Sequence, residues 1–191
     1  MGSMNTIKEV GAMKATKRVG LLLGAGALSL VMSTGVAVAA GGGGSAPPPP
    51  PGAILGTPAN DILGGSARAD YVEGRAGNDI ISGRGGKDTL MGDFNRFSTK
   101  GGNDILGGAR GNDFLSGGAG KDILRGGAGG DYINGGKGRD LASGGTGNDY
   151  INVRDEEQDV VNCGPGRDQV AADLKLDVVS GNCEFVTDAV G

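Results

Sequence analysis

Between Gly117 and Asn152 the chain repeats a nine-residue unit four times without a gap: GGAGKDILR, GGAGGDYIN, GGKGRDLAS and GGTGNDYIN. Such a unit leaves few folds open. Its apolar pair is too short to build a helix, and glycines at this density break any helix that begins. Looser copies extend the pattern from about Gly56 to Val179. Their aspartates are Asp61, Asp70, Asp79, Asp88, Asp104, Asp113, Asp122, Asp131, Asp140, Asp149, Asp159, Asp168 and Asp177. The step is nine residues except for ten from Asp149 to Asp159 and sixteen from Asp88 to Asp104, which places a seven-residue insert within Met91 to Lys100, near 92–98. Two residues after each aspartate stands an aliphatic: Leu63, Val72, Ile81, Leu90, Leu106, Leu115, Leu124, Ile133, Ala142, Ile151, Val161, Val170 and Val179.

Composition removes the alternatives. Glycine accounts for 42 of 191 residues, far above the ordinary level of about 7%. A period of nine, with no glycine at every third place, excludes collagen. A regular aliphatic in each unit argues against disorder. The chain has no histidine, the commonest general base and transition-metal ligand.

Residues 1–39 read as a secretory signal peptide. Lys14, Lys17 and Arg18 precede an apolar run, Val19 to Val38, that closes on the small residues Ala37, Val38 and Ala39 at a cleavage spacing. A retained membrane anchor is the other reading of a run this long. Without Lys8, Glu9, Lys14, Lys17 and Arg18 the remainder has 14 basic and 21 acidic residues, a balance of −7. That disfavours nucleic acid or an anionic membrane as partner and suits a cation. Residues 40–55 form a Gly/Pro-rich linker, a spacer or a Pro-rich ligand for a partner domain.

Short strands joined by glycine-rich turns predict an all-β fold, a parallel β-roll solenoid over 56–180 with two short-stranded parallel sheets behind a disordered or helical leader. Each unit makes half a turn, so alternate units stack about 4.8 Å apart in one sheet. The aliphatic column fills the space between the sheets. Strand alternation then turns the residue after each aspartate outward. One sheet would show Ile62, Ile80, Ile105, Ile123, Leu141, Val160 and Val178; the other, Tyr71, Thr89, Phe114, Tyr132, Tyr150 and Gln169. The sorting survives the insert only if the insert bulges as a loop.

Stacking brings aspartates over one another. Two like charges about 5 Å apart repel by roughly 3 kcal/mol at an effective dielectric of about 20. A bound cation relieves this, and carboxylate and carbonyl oxygens select calcium over zinc or copper. The unit resembles the hemolysin-type calcium-binding repeat, the RTX nonapeptide GGxGxDxUx, matched in full from Gly117 to Asn152 and closely around Asp79, Asp88 and Asp113. The resemblance implies calcium between successive turns of a parallel β-roll. Its ligand carboxylates would be Asp79, Asp88, Asp104, Asp113, Asp122, Asp131, Asp140 and Asp149. Carbonyls near Gly118, Gly120, Gly127, Gly129, Gly136 and Gly138 would complete the cages. Ala59, Arg68, Glu157 and Lys175 replace the fourth-position glycine at the two ends, which implies empty or weak sites and capping turns there.

Cys163 and Cys183 lie 20 residues apart. A residue 18 beyond Cys163 would stack over it, which predicts a disulfide tying a cap over 181–191; free thiols are the alternative. The cysteine-bearing tail resembles that of repeat proteins of this type in Gram-positive actinobacteria.

No HExxH, GxSxG or Walker pattern is present, so the expectation is a non-enzyme. The sequence points to a secreted, extracellular or cell-surface calcium-binding module, structural or adhesive, with calcium as partner. It also implies no nucleic acid and no membrane insertion once the leader is cleaved. A protein-interaction module is the alternative, with a cell-wall or protein partner or self-association through the outer stripes. An accessory fragment of a secreted hydrolase is the remote alternative.

Overall fold

The computed structural model describes residues 29–30, 48–93 and 101–188. The chain winds into a solenoid of two parallel sheets of eight strands each. The first sheet stacks Ser29–Leu30, Asp61–Gly64, Ile80–Gly85, Ile105–Arg110, Ile123–Ala128, Leu141–Thr146, Val160–Asn162 and Val178–Val179. The second stacks Ile54–Leu55, Tyr71–Glu73, Thr89–Met91, Phe114–Ala119, Tyr132–Lys137, Tyr150–Asn152, Gln169–Ala172 and Phe185–Asp188. Among the described residues there is no helix, and so none that could cross a membrane.

The nonapeptide period sets the register. Ile123 pairs with Leu141, and Tyr132 with Tyr150, each 18 residues on. Across the insert Ile80 pairs with Ile105 and Thr89 with Phe114, so neither column slips. The insert therefore leaves the register of both sheets intact. Its residues 94–100 lie outside the described set.

The aliphatic column forms the core. Leu90, Leu106, Leu115, Leu124, Ile133, Ala142 and Ile151 are each 0% exposed. The residues after the aspartates point outward as expected: Ile80, Ile105, Leu141, Val160 and Val178 are exposed on the first sheet, Tyr132 and Tyr150 on the second. On the second sheet Phe114, Tyr132 and Tyr150 stack with ring centroids 5.1 Å apart at each step.

Two details differ from the expectation. The strands from Ile105–Arg110 to Leu141–Thr146 run six residues, as in Ile123–Ala128, because pairing continues through the turn glycines, with Gly127 against Gly145. Of the leader, only Ser29–Leu30 falls within the described residues, as a strand beside Asp61 and Ile62. The open edge of the first sheet offers these two residues backbone partners. The rest of 1–39 and the first part of the linker lie outside the described residues.

At the far end Cys163 and Cys183 are disulfide-bonded. The bond joins the fully buried Cys163 to the turn before the last strand.

Candidate metal-binding turns

Winding places the aspartates in two columns, one along each edge of the solenoid. Each sits where a turn enters a strand, and all but Asp70 and Asp177 are almost wholly buried: Asp104 and Asp168 are 0% exposed, Asp122 is 1% and Asp131 is 3%. Burial of so many carboxylates requires partners.

Half of the requirement is met by the backbone. The Asp61 amide donates to Asp79 Oδ1, Asp79 to Asp104, Asp104 to Asp122, Asp122 to Asp140, Asp140 to Asp159 and Asp159 to Asp177, all at 2.7–2.9 Å. The other edge repeats this from Asp70 through Asp88, Asp113, Asp131 and Asp149 to Asp168, again at 2.8–2.9 Å. The Asp168 amide then donates to Glu184 Oε2, which closes that column.

The second oxygen is not met. Oδ2 of Asp79, Asp88, Asp104, Asp113, Asp122, Asp131, Asp140, Asp149, Asp159 and Asp168 is buried with no hydrogen-bond donor. Nor does a cationic side chain reach it: among the described residues the one salt bridge is Arg75 to Glu73. Burial accordingly raises the carboxyl pKa values from Asp79 to Asp159, opposed by the backbone donors and in most cases assisted by neighbouring carboxylates. Asp104 is pushed up to about 7, Asp122 to about 8 and Asp159 to about 7. Asp79, Asp131 and Asp140 are pushed up to about 6. Asp88, Asp113 and Asp149 are raised for the same leading reason.

The orphaned oxygen of each aspartate from Asp79 to Asp149 lies against the first glycine of its own turn; before Asp159 and Asp168 that place is taken by the buried Val153 and Cys163. A methyl group built on Gly117 would strike Asp122 Oδ2 and come 2.5 Å from the Gly135 carbonyl. Gly126 has the same relation to Asp131 Oδ2 and the Gly144 carbonyl, also at 2.5 Å. So a carboxylate oxygen and a carbonyl oxygen from the next turn of the same edge border one small space. No three acidic side chains converge on one point among the described residues. A cation held here would have to draw on carbonyls as well as carboxylates, which is the hard-oxygen donor set that suits calcium.

The second- and fourth-position glycines stand in the turns at positive φ, as at Gly127 (119°) and Gly129 (138°). Gly118, Gly120, Gly136 and Gly138 behave alike. The Gly118 and Gly120 carbonyls face Gly136 and Gly138 along the stack, and those of Gly127 and Gly129 face Gly145 and Gly147. Arg75, Arg84 and Ala109 hold positive φ without being glycine, at about 1 kcal/mol each or more.

Sequence reasoning missed three features. The first-position glycines border the orphaned oxygens, a role signalled only by their presence in every tandem unit. Asp159 and Asp168 share the orphaned-oxygen arrangement although their turns depart from the motif. Asp93, at the root of the insert, is buried and accepts from the Gly102 amide at 3.1 Å and the Ala119 amide at 3.3 Å.

A family model described as the RTX calcium-binding nonapeptide repeat, in four copies, matches residues 55–90, 98–133 and 125–154. No curated protein and no solved structure matches the chain.

Proposed function

Because this chain belongs to the RTX calcium-binding nonapeptide repeat family, we propose that it is a secreted, non-catalytic β-roll that orders when calcium enters its glycine-rich turns. The carboxylates assigned as ligands are Asp79, Asp88, Asp104, Asp113, Asp122, Asp131, Asp140 and Asp149. Carbonyls of the turn glycines, among them Gly118, Gly120, Gly127, Gly129, Gly136 and Gly138, complete the oxygen set. Calcium bound there supplies the positive charge that the buried carboxylates lack. One observation carries this reading: a file of buried, donorless carboxylate oxygens runs along both edges, from Asp79 to Asp159 on one and from Asp88 to Asp168 on the other. The role is structural or adhesive, at the cell surface or outside the cell. Residues 1–39 serve as the export signal, 40–55 as the spacer, 56–180 as the calcium-binding domain and 181–191 as its tied cap. Calcium titration of the full chain, followed by far-ultraviolet circular dichroism and calorimetry, tests the reading. A rise in β signal with saturable heat is expected; an unchanged spectrum through the millimolar range would refute it.

The exposed row Ile80, Ile105, Leu141, Val160 and Val178 favours a second reading, in which the first sheet also serves as a contact face. Sedimentation in calcium of the wild type and of Ile105→Lys with Ile123→Lys separates the two. Identical sedimentation of both proteins as monomers removes the contact face.

A further inference from the structure

We propose that the array of cation sites is displaced from the recognisable motif: it excludes the two N-terminal turns and runs on through Asp159 and Asp168. The inference rests on the calcium reading above and concerns which turns take the ion.

Two kinds of turn exist in this solenoid. In the turn Gly56 to Asp61, the Thr57 amide donates to Asp61 Oδ2 at 2.6 Å and the Thr57 hydroxyl donates to it at 2.9 Å. In the turn Gly65 to Asp70, Ser66 does the same for Asp70 Oδ2, at 2.6 and 2.9 Å. The oxygen that is donorless in the other turns thus has two donors here. Both donors come from the residue that replaces the second glycine. A carboxylate oxygen so occupied has little to offer a cation, and an ion would have to break both bonds. Asp61 Oδ1 is buried and unpartnered, but for a different reason. It stands first in its column, with no aspartate amide from a preceding turn to receive. Asp177 is closed in the N-terminal manner: its Oδ2 accepts from the Asp173 amide at 2.7 Å.

Asp159 and Asp168 lie beyond the matched residues, which end at 154. The buried Val153 and Cys163 stand where a glycine borders the orphaned oxygens of Asp122 and Asp131, but the two carboxylates are themselves held in the same way. Each is no more than 1% exposed, each gives Oδ1 to an aspartate amide, and each keeps Oδ2 without a donor. The turns that carry them also join the neighbouring cradles. A methyl group on Gly144 would meet Asp149 Oδ2 and come 2.6 Å from the Cys163 carbonyl, which opens the turn of Asp168. Asp155, four residues before Asp159, adds its charge beside both Asp140 and Asp159. Missing motif glycines therefore do not empty these turns. A hydroxyl at the second position does empty the first two.

Full-length wild type, Asp61→Asn with Asp70→Asn, and Asp159→Asn with Asp168→Asn are dialysed against saturating calcium, and bound metal is counted by atomic emission. The first pair keeps the wild-type ion count, and the second loses at least one ion. An undiminished count in the second pair, or a loss in the first, overturns the proposal. Anomalous difference maps from wild-type crystals grown in calcium give a readout independent of variant folding. Peaks are expected beside Asp159 and Asp168 and none beside Asp61 or Asp70; the reverse pattern refutes it. A wild-type count of zero removes the calcium reading itself, a separate outcome.

Discussion

Two glycine-to-alanine substitutions should part company despite identical chemistry. Gly107 sits on the outer face of the first sheet, and a methyl group there would meet nothing within 4 Å. Its φ is not in the left-handed region. Alanine there should be neutral, or stabilise by up to about 1 kcal/mol through the unfolded chain. Gly126 also has ordinary φ, but its methyl group would collide with Asp131 Oδ2 and lie 2.5 Å from the Gly144 carbonyl. The carbonyl belongs to the neighbouring turn and cannot rotate away. Overpacking of this kind costs about 1–3 kcal/mol. The collision falls on the two oxygens assigned to the cation, so the loss should appear in calcium affinity. A penalty of about 2 kcal/mol corresponds to a roughly 30-fold weaker binding constant. Calcium titrations of wild type, Gly107→Ala and Gly126→Ala by circular dichroism, followed by denaturation at saturating calcium, measure both effects. Equal midpoints for the two variants would refute the assignment of Gly126 to a cation cradle.

Three further outcomes follow from the same geometry. Burial raises the aspartate pKa values of the folded, metal-free chain, so that state holds more protons than the unfolded one. Its stability is greatest at acid pH and is lost as pH rises through about 6 to 8, the range reached by Asp79, Asp104, Asp122, Asp131, Asp140 and Asp159. Chelator-treated protein should lose β signal between pH 5 and pH 8 by roughly that window, while the calcium midpoint should shift to higher concentration on acidification. Cys183→Ser opens a loop of 20 residues and should cost about 3 kcal/mol, read as a lower melting temperature that reductant does not lower further. Tyr132→Ala removes both of its ring contacts, each worth about 0.5–1.5 kcal/mol. It should destabilise more than Tyr150→Ala, which removes one, when both are compared by thermal melting.

Much of the architecture can be read from spacing alone. The aliphatic two places after each aspartate is enough to predict the core, and the residue between them sorts Ile105 and Tyr132 to different outer faces. The register across the insert follows, because Asp104 resumes the alternation that Asp88 left. The sites are legible only as far as residue type. One letter for aspartate conceals two oxygens, and their division between an amide and an empty space depends on where the next turn's backbone lies. That is why the sequence sets Asp61 apart from Asp122 by the Ala59 in its turn, whereas the structure does so by the donors on its Oδ2. Thr57 and Ser66 carry the difference, in a position where the motif would have suggested only a lapse from glycine. Strand length is hidden from the sequence for a similar reason. Glycine reads as a breaker, but here Gly127 and Gly145 remain paired although both stand at positive φ.

The alternation of sheets gives the chain a parity. Removing 18 residues, such as 117–134, would bring each later strand back to the sheet it left, with Leu141 following Ile105 and Tyr150 following Phe114. Removing nine would exchange the two outer surfaces for everything downstream and set rings beside isoleucines. A molecule of this kind can lengthen or shorten without altering its faces only in whole revolutions. The extra residues between Asp93 and Gly101 leave that count untouched, since Ile80 still meets Ile105 and Thr89 still meets Phe114.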